Sequence, residues 1–159
     1  MRRKTIFLAI AVAALSGGAF FYFNSGTSET ARVLIEPSDA ALVAHGKSIY
    51  TTHCAACHGA KLEGQPEWRK RLPNGRLPAP PHDESGHTWH HPDGVLFDIV
   101  KNGLVPGRTA PAGYESDMPA YAQVLTDGDI VAVLAYIKST WPPEILALQK
   151  NVTLQQSRK

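Results

Sequence analysis

The chain has 159 residues, enough for one domain with a short appendage and too few for two domains of typical length. It is 43% apolar and 19% charged, which excludes a disordered charged tail and leaves material for a core. Sixteen Lys and Arg oppose fourteen Asp and Glu; residues 1–36 hold four basic and two acidic side chains, so residues 37–159 are formally neutral and offer no electrostatic footprint for nucleic acid.

Arg2, Arg3 and Lys4 precede an uncharged stretch from Thr5 to Asn24. Its apolar part, Ile6 to Phe23, would reach roughly 27 Å as a helix, close to the hydrocarbon thickness of a bilayer. The leading charges predict a cytoplasmic N-terminus and an exported body. Gly17-Gly18-Ala19 would suit cleavage of a signal peptide. The run continues past that site through Phe20-Phe21-Tyr22-Phe23, and its length and aromatic end favour an uncleaved anchor. Residues 1–24 are thus expected to be anchor or signal peptide. Residues 25–37 read as a flexible linker from the small polar run Asn24 to Thr30, although the apolar patch Arg32 to Glu36 has no evident place.

The body, 38–150, carries three helical patterns. The first spans Ser38 to His53, with Ser38 as N-cap and Leu42, Gly46, Ile49, Tyr50 and His53 on one face. The second spans Pro92 to Asn102, with Val95, Leu96, Ile99 and Val100 as its buried stripe and Gly103 as its stop. In the third, Thr126 caps, Asp129 follows three residues on, Ile130, Val133, Leu134 and Ile137 recur at helical spacing, and Pro142-Pro143 marks the end. A last short helix is expected over Glu144 to Asn151, and a disordered tail over 151–159. Strand patterning is absent, so the fold class is all-α. Residues 59–119 hold eight of the 13 Gly and nine of the 12 Pro. Ordering so much irregular chain costs backbone entropy that three or four short helices cannot offset alone, so another apolar object is expected in the middle.

Cys54-Ala55-Ala56-Cys57-His58 names that object. It is the attachment pattern of c-type haem: two thiols three residues apart, on one side of a helical turn, for the porphyrin vinyl groups, then an imidazole for the iron. A redox-active dithiol would favour a βαβ context, and a zinc site would want a second ligand pair; neither is present. With only these two cysteines, a multi-disulfide scaffold is excluded as well. Met118, the only methionine after the initiator, lies on the polar run Ser116-Asp117-Met118-Pro119-Ala120-Tyr121 and is the expected sixth ligand, with Tyr121 beside it counted among the cofactor contacts. An isolated Met more often fills a gap in a core, but no apolar stripe surrounds this one. His82, His87, His90 and His91 are its rivals.

From these residues the chain resembles a class I c-type cytochrome over roughly 38–141. Gly46, Tyr50 and Cys54 match that family's Gly-x3-aromatic-x3-Cys run, and Asp129 to Lys138 resembles its last helix. The resemblance implies a cytochrome c fold around one covalent haem c, close crossing of the first and last helices at Gly46 with Val133 and Tyr136 as partner positions, and a prolyl carbonyl, Pro80 or Pro81, accepting a hydrogen bond from His58. The run from Pro80 to Asp93 is similar to membrane-anchored mono-haem cytochromes of Gram-negative bacteria, implying an inner-membrane protein with its haem domain in the periplasm. The histidines are expected to line a loop near the haem propionates, with Trp89 on the haem edge, rather than to bind a second metal such as copper. Arg69, Lys70, Arg71 and Arg76 read as a solvated loop or as a docking patch for an acidic partner. The expected function is a tethered respiratory electron carrier, not an enzyme, with redox-protein partners such as a terminal oxidase. A haem enzyme with a displaceable Met ligand and a thiol–disulfide oxidoreductase are the alternatives.

Overall fold

Asp39 starts the first helix, α1 (Ala40–His53), by accepting hydrogen bonds from the backbone N–H groups of Ala41 and Leu42 at 2.8 and 3.2 Å. The cap is therefore one residue later than the expected Ser38. The computed structural model describes residues 34–156 and Arg158. The expected membrane segment over 1–24 and the linker as far as residue 33 lie outside the described residues, among which no helix is long and apolar enough to cross a membrane.

A single turn, α2 (Ala55–His58), follows α1 directly, and a 3₁₀ turn spans Thr88–His90. Helix α3 (Asp93–Asn102) ends at Gly103, whose φ of +78° suits a residue without a Cβ and whose N–H bonds the Ile99 carbonyl. Helix α4 (Asp127–Ser139) begins with the expected capping box between Thr126 and Asp129. Helix α5 (Pro143–Gln156) is longer than expected, so the supposed tail is helical through residue 156. There is no strand among the described residues, and the fold is all-α as expected.

Helix α4 is the centre: Ile130, Ala132, Val133, Leu134, Ala135 and Ile137 are all buried. Its most extensive contact is with α1. A Cβ at Gly46 would fall 1.9 Å from the Ala132 carbonyl oxygen and 3.0 Å from the Tyr136 Cβ, so only glycine permits this crossing. The close partner is thus Ala132 with Tyr136, while Val133, the expected partner, turns to line a cavity. Tyr50 packs on Tyr136 with ring centres 5.4 Å apart and donates its hydroxyl to the Gly59 carbonyl at 2.9 Å. Helix packing thereby fixes the turn that follows Cys54-x-x-Cys57-His58.

A buried polar cluster joins the remaining pieces. Lys138 Nζ lies 2.8 and 2.9 Å from the two Asp93 carboxylate oxygens, and both residues are almost wholly buried. Asp93 also accepts from Gln149 Nε2 at 2.7 Å and from the Ile35 N–H at 2.8 Å. Ile35 is itself buried, which corrects the expectation that the flexible linker reaches residue 37. The apolar patch without an evident place is where the chain enters the core.

Candidate haem site

Helices α3 and α4 and the two long loops enclose a cavity of about 570 Å³. Leu96, Ile99 and Val100 come from α3, and Val133, Leu134 and Ile137 from α4; of the positions their helical spacing predicts, Val95 and Ile130 do not line it. Cys54, Cys57 and His58 stand on the same wall system, together with Met118 and Tyr121. Sequence positions 64 residues apart, Cys54 and Met118, therefore meet around one space.

His58 is buried, and its Nδ1 lies 2.8 Å from the Pro80 carbonyl oxygen. A carbonyl only accepts, so Nδ1 carries the proton and Nε2 keeps its lone pair. Burial pushes the His58 pKa down, partly offset by the Pro80 bond, which favours the neutral imidazole that a metal requires. Of the two prolines it is Pro80 that holds the ring. Pro81 does not line the cavity; its carbonyl is instead packed against Gly86, where a Cβ would lie 2.1 Å from that oxygen.

Cys54 and Cys57 are unpaired thiols. Burial, then the neighbouring Cys57, push the Cys54 thiol up to about 11, the reverse of the lowered value that marks a redox-active dithiol. Met118 is half-buried, and its N–H is fixed by the Ser116 hydroxyl at 3.1 Å. The Tyr121 hydroxyl donates to the His53 carbonyl at 2.7 Å, tying the Met118 loop to the end of α1 beside the thiols. Two free thiols, a neutral imidazole with an available nitrogen and a thioether, all facing one largely apolar cavity, fit a covalently held haem.

The sequence profile of the Cytochrome c family matches residues 43–141. This chain belongs to that family. The cytochrome is 28% identical over 120 residues to the gluconate 2-dehydrogenase cytochrome c subunit of Pantoea cypripedii, covering 69% of this chain and 25% of that protein. It is 31% identical over 102 residues to the cbb3-type cytochrome c oxidase subunit CcoP of Azospirillum sp. (strain B510), covering 63% of this chain and 29% of the relative. A cytochrome bc1 complex cytochrome c subunit of Corynebacterium diphtheriae is 26% identical over 137 residues, covering 86% and 42%. The cytochrome thus spans less than half the length of these three relatives. It is a class I c-type cytochrome.

Trp89 does not face the cavity of this cytochrome, contrary to expectation. In the 3₁₀ turn Thr88 and His91 share one side, by the three-residue repeat, and both line the cavity. Trp89 points elsewhere, stacked on His90 at 3.6 Å, with its indole N–H donating to the Glu84 carbonyl at 3.3 Å. The tryptophan on the wall is Trp68, on a loop without periodicity, where nothing in the sequence singled it out. It stacks on His87 at 5.4 Å under the Arg69 guanidinium, 4.0 Å from its ring. His82 stacks on His58 at 4.0 Å, and its Nδ1 is 2.8 Å from the Thr88 hydroxyl. His87 and His91 meet edge to face at 5.5 Å. His82 and His90 thus stack on rings outside the His87–His91 pair, and among the described residues no three His, Cys, Asp or Glu are placed to hold a metal ion.

Proposed function

We propose that this cytochrome binds one haem c, thioether-linked through Cys54 and Cys57, with His58 and Met118 as axial ligands, and shuttles single electrons between respiratory proteins. The observation that carries the reading is the His58–Pro80 hydrogen bond in a cavity shared by both thiols and Met118. When bound, the haem supplies a reversible one-electron change. The chain's part is to hold the imidazole in one orientation through Pro80, to exclude water with α3 and α4, and to present His58 and Met118 as the residues that would hold the iron. Arg69, Trp68, His87 and His91 bring donor groups to the wall and suit the haem carboxylates.

The basic-then-apolar N-terminal sequence supports attachment to the inner membrane with the haem domain in the periplasm. Relatives named as subunits of an oxidase and of a bc1 complex support respiratory partners, a terminal oxidase among them.

The test is the visible spectrum of the purified protein, reduced and then exposed to carbon monoxide. Sharp c-type bands unchanged by the gas are expected. A prompt shift would overturn six-coordination and point to ligand chemistry at the iron, and a colourless protein would overturn haem binding. Met118→Ala is expected to lower the reduction potential and admit carbon monoxide. An unchanged potential would take the axial role away from Met118.

A further inference from the structure

We infer that Arg76 is a clasp that holds the Met118 loop shut, so that it sets how readily the methionine yields its place to an outside ligand. This rests on Met118 being the axial ligand.

Two loops wall the cavity on the side where the helices do not reach. The first contributes Leu72, Leu77 and Pro78, the second Tyr114, Asp117 and Met118. Arg76 spans them: its Nη1 donates to Asp117 Oδ1, and its Nε lies 3.5 Å from Glu115 Oε2. Asp117 immediately precedes Met118. A second cation from the same loop, Arg71, sits 5.9 Å from the Tyr114 ring centre. Among the described residues, the hydrogen bonds and ion pairs that tie residues 111–120 to another segment all end on Arg76, while just beyond them Tyr121 anchors the loop's far end, its N–H on the Val100 carbonyl and its hydroxyl on the His53 carbonyl.

Exposed ion pairs contribute little where two flexible side chains must be ordered to form them. Here both halves are already constrained. Arg76 closes a tight turn in which Leu72 N–H donates to the Arg76 carbonyl at 2.8 Å, Gly75 N–H to the Leu72 carbonyl at 2.9 Å, and Arg76 N–H to Asn74 Oδ1 at 3.0 Å. On the other side, Ser116 fixes the Met118 N–H. One planar guanidinium facing two carboxylates also presents more donors than a lysine could. Arg76 is therefore satisfied within the chain, which argues against its serving as a free docking charge.

The experiment measures imidazole displacing the axial ligand of the oxidised, haem-loaded protein, followed in the visible spectrum at low and high salt. Arg76→Ala is expected to bind imidazole roughly three- to fivefold more readily at low salt, the range a constrained surface pair allows. Arg76→Lys should recover part of the difference. Asp117→Ala should open the loop in the same direction but no further than Arg76→Ala, since Glu115 still faces Arg76, and the double variant should be no more open than Arg76→Ala alone, because the effect runs through their contact. High salt should loosen the wild type and leave Arg76→Ala unchanged. Equal imidazole binding in wild type and Arg76→Ala, or additive single variants, would overturn the clasp. Met118→Ala separates this from failure of the ligand assignment: if it takes up imidazole no more readily than wild type, Met118 is not the ligand and the clasp has nothing to hold.

Discussion

At the scale of single residues, the side chains that matter most are polar groups which burial obliges to find a particular partner. His82 shows this. It is stacked on the cavity-facing imidazole of His58, burial pushes its pKa well down, and its Nδ1 is paired with the Thr88 hydroxyl, itself buried. Thr88→Val keeps the shape and removes that hydroxyl, leaving one ring nitrogen without its partner. His82 is half-buried, so the expected cost is about 1 kcal/mol, the low end for a polar group left unsatisfied. Chemical denaturation of the haem-loaded variant measures it, and a change within the error of wild type would show that His82 has no need of Thr88. At this scale the sequence was readable where the residues lie close together in the chain: Cys54, Cys57 and His58 do line one cavity. It was unreadable where loops bring distant residues together. Choosing Pro80 over Pro81, or Trp68 over Trp89, needs the path of an aperiodic chain through space, and neither spacing nor composition encodes that path locally.

Among the elements, helices were legible in proportion to their local signals. Thr126 and Asp129 form a reciprocal cap that depends only on residues three apart, and the structure reproduces it. At α1 both Ser38 and Asp39 have the capping chemistry, and the backbone selects the second. The length of α5 was hidden because it lacks an apolar stripe; the polar residues Gln149 and Thr153 are the ones it buries. The α4 cap has a measurable consequence. The Thr126 hydroxyl, then His45, then the Thr126 N–H hold the Asp129 pKa down, from 3.8 to about 2. A carboxylate with a depressed folded-state pKa lends stability above its unfolded value, and that stability is lost as pH falls through the folded value. Wild type should therefore exceed Asp129→Asn in urea midpoint at pH 5, and the gap should close as the pH approaches 2. A gap independent of pH would show that the charge on Asp129 contributes nothing to the cap.

For the molecule as a whole, two different centres hold the helices together. One is the cavity proposed for the haem, walled by α3, α4 and the loops. The other is the Asp93–Lys138 pair, where α3 begins, α4 ends, α5 crosses and the chain enters at Ile35. Burial, with a small push from Lys150, lowers the Lys138 pKa, and Asp93 works against that shift, so each charge is tolerable only beside the other. Such a pair is weak evidence of net stabilisation, but removing one member leaves a buried, unpaired charge. Lys138→Met should cost about 3 kcal/mol, at the low end of the usual range because Gln149 and the Ile35 N–H still donate to Asp93. Pairing it with Asp93→Asn removes the stranded charge while keeping an acceptor for Ile35, and should recover most of that loss. Urea unfolding of the two haem-loaded variants decides the matter. If Lys138→Met alone is no less stable than the double variant, the pair does not hold the second centre together. In that case packing around α4 is sufficient to dock α5 and the entering strap.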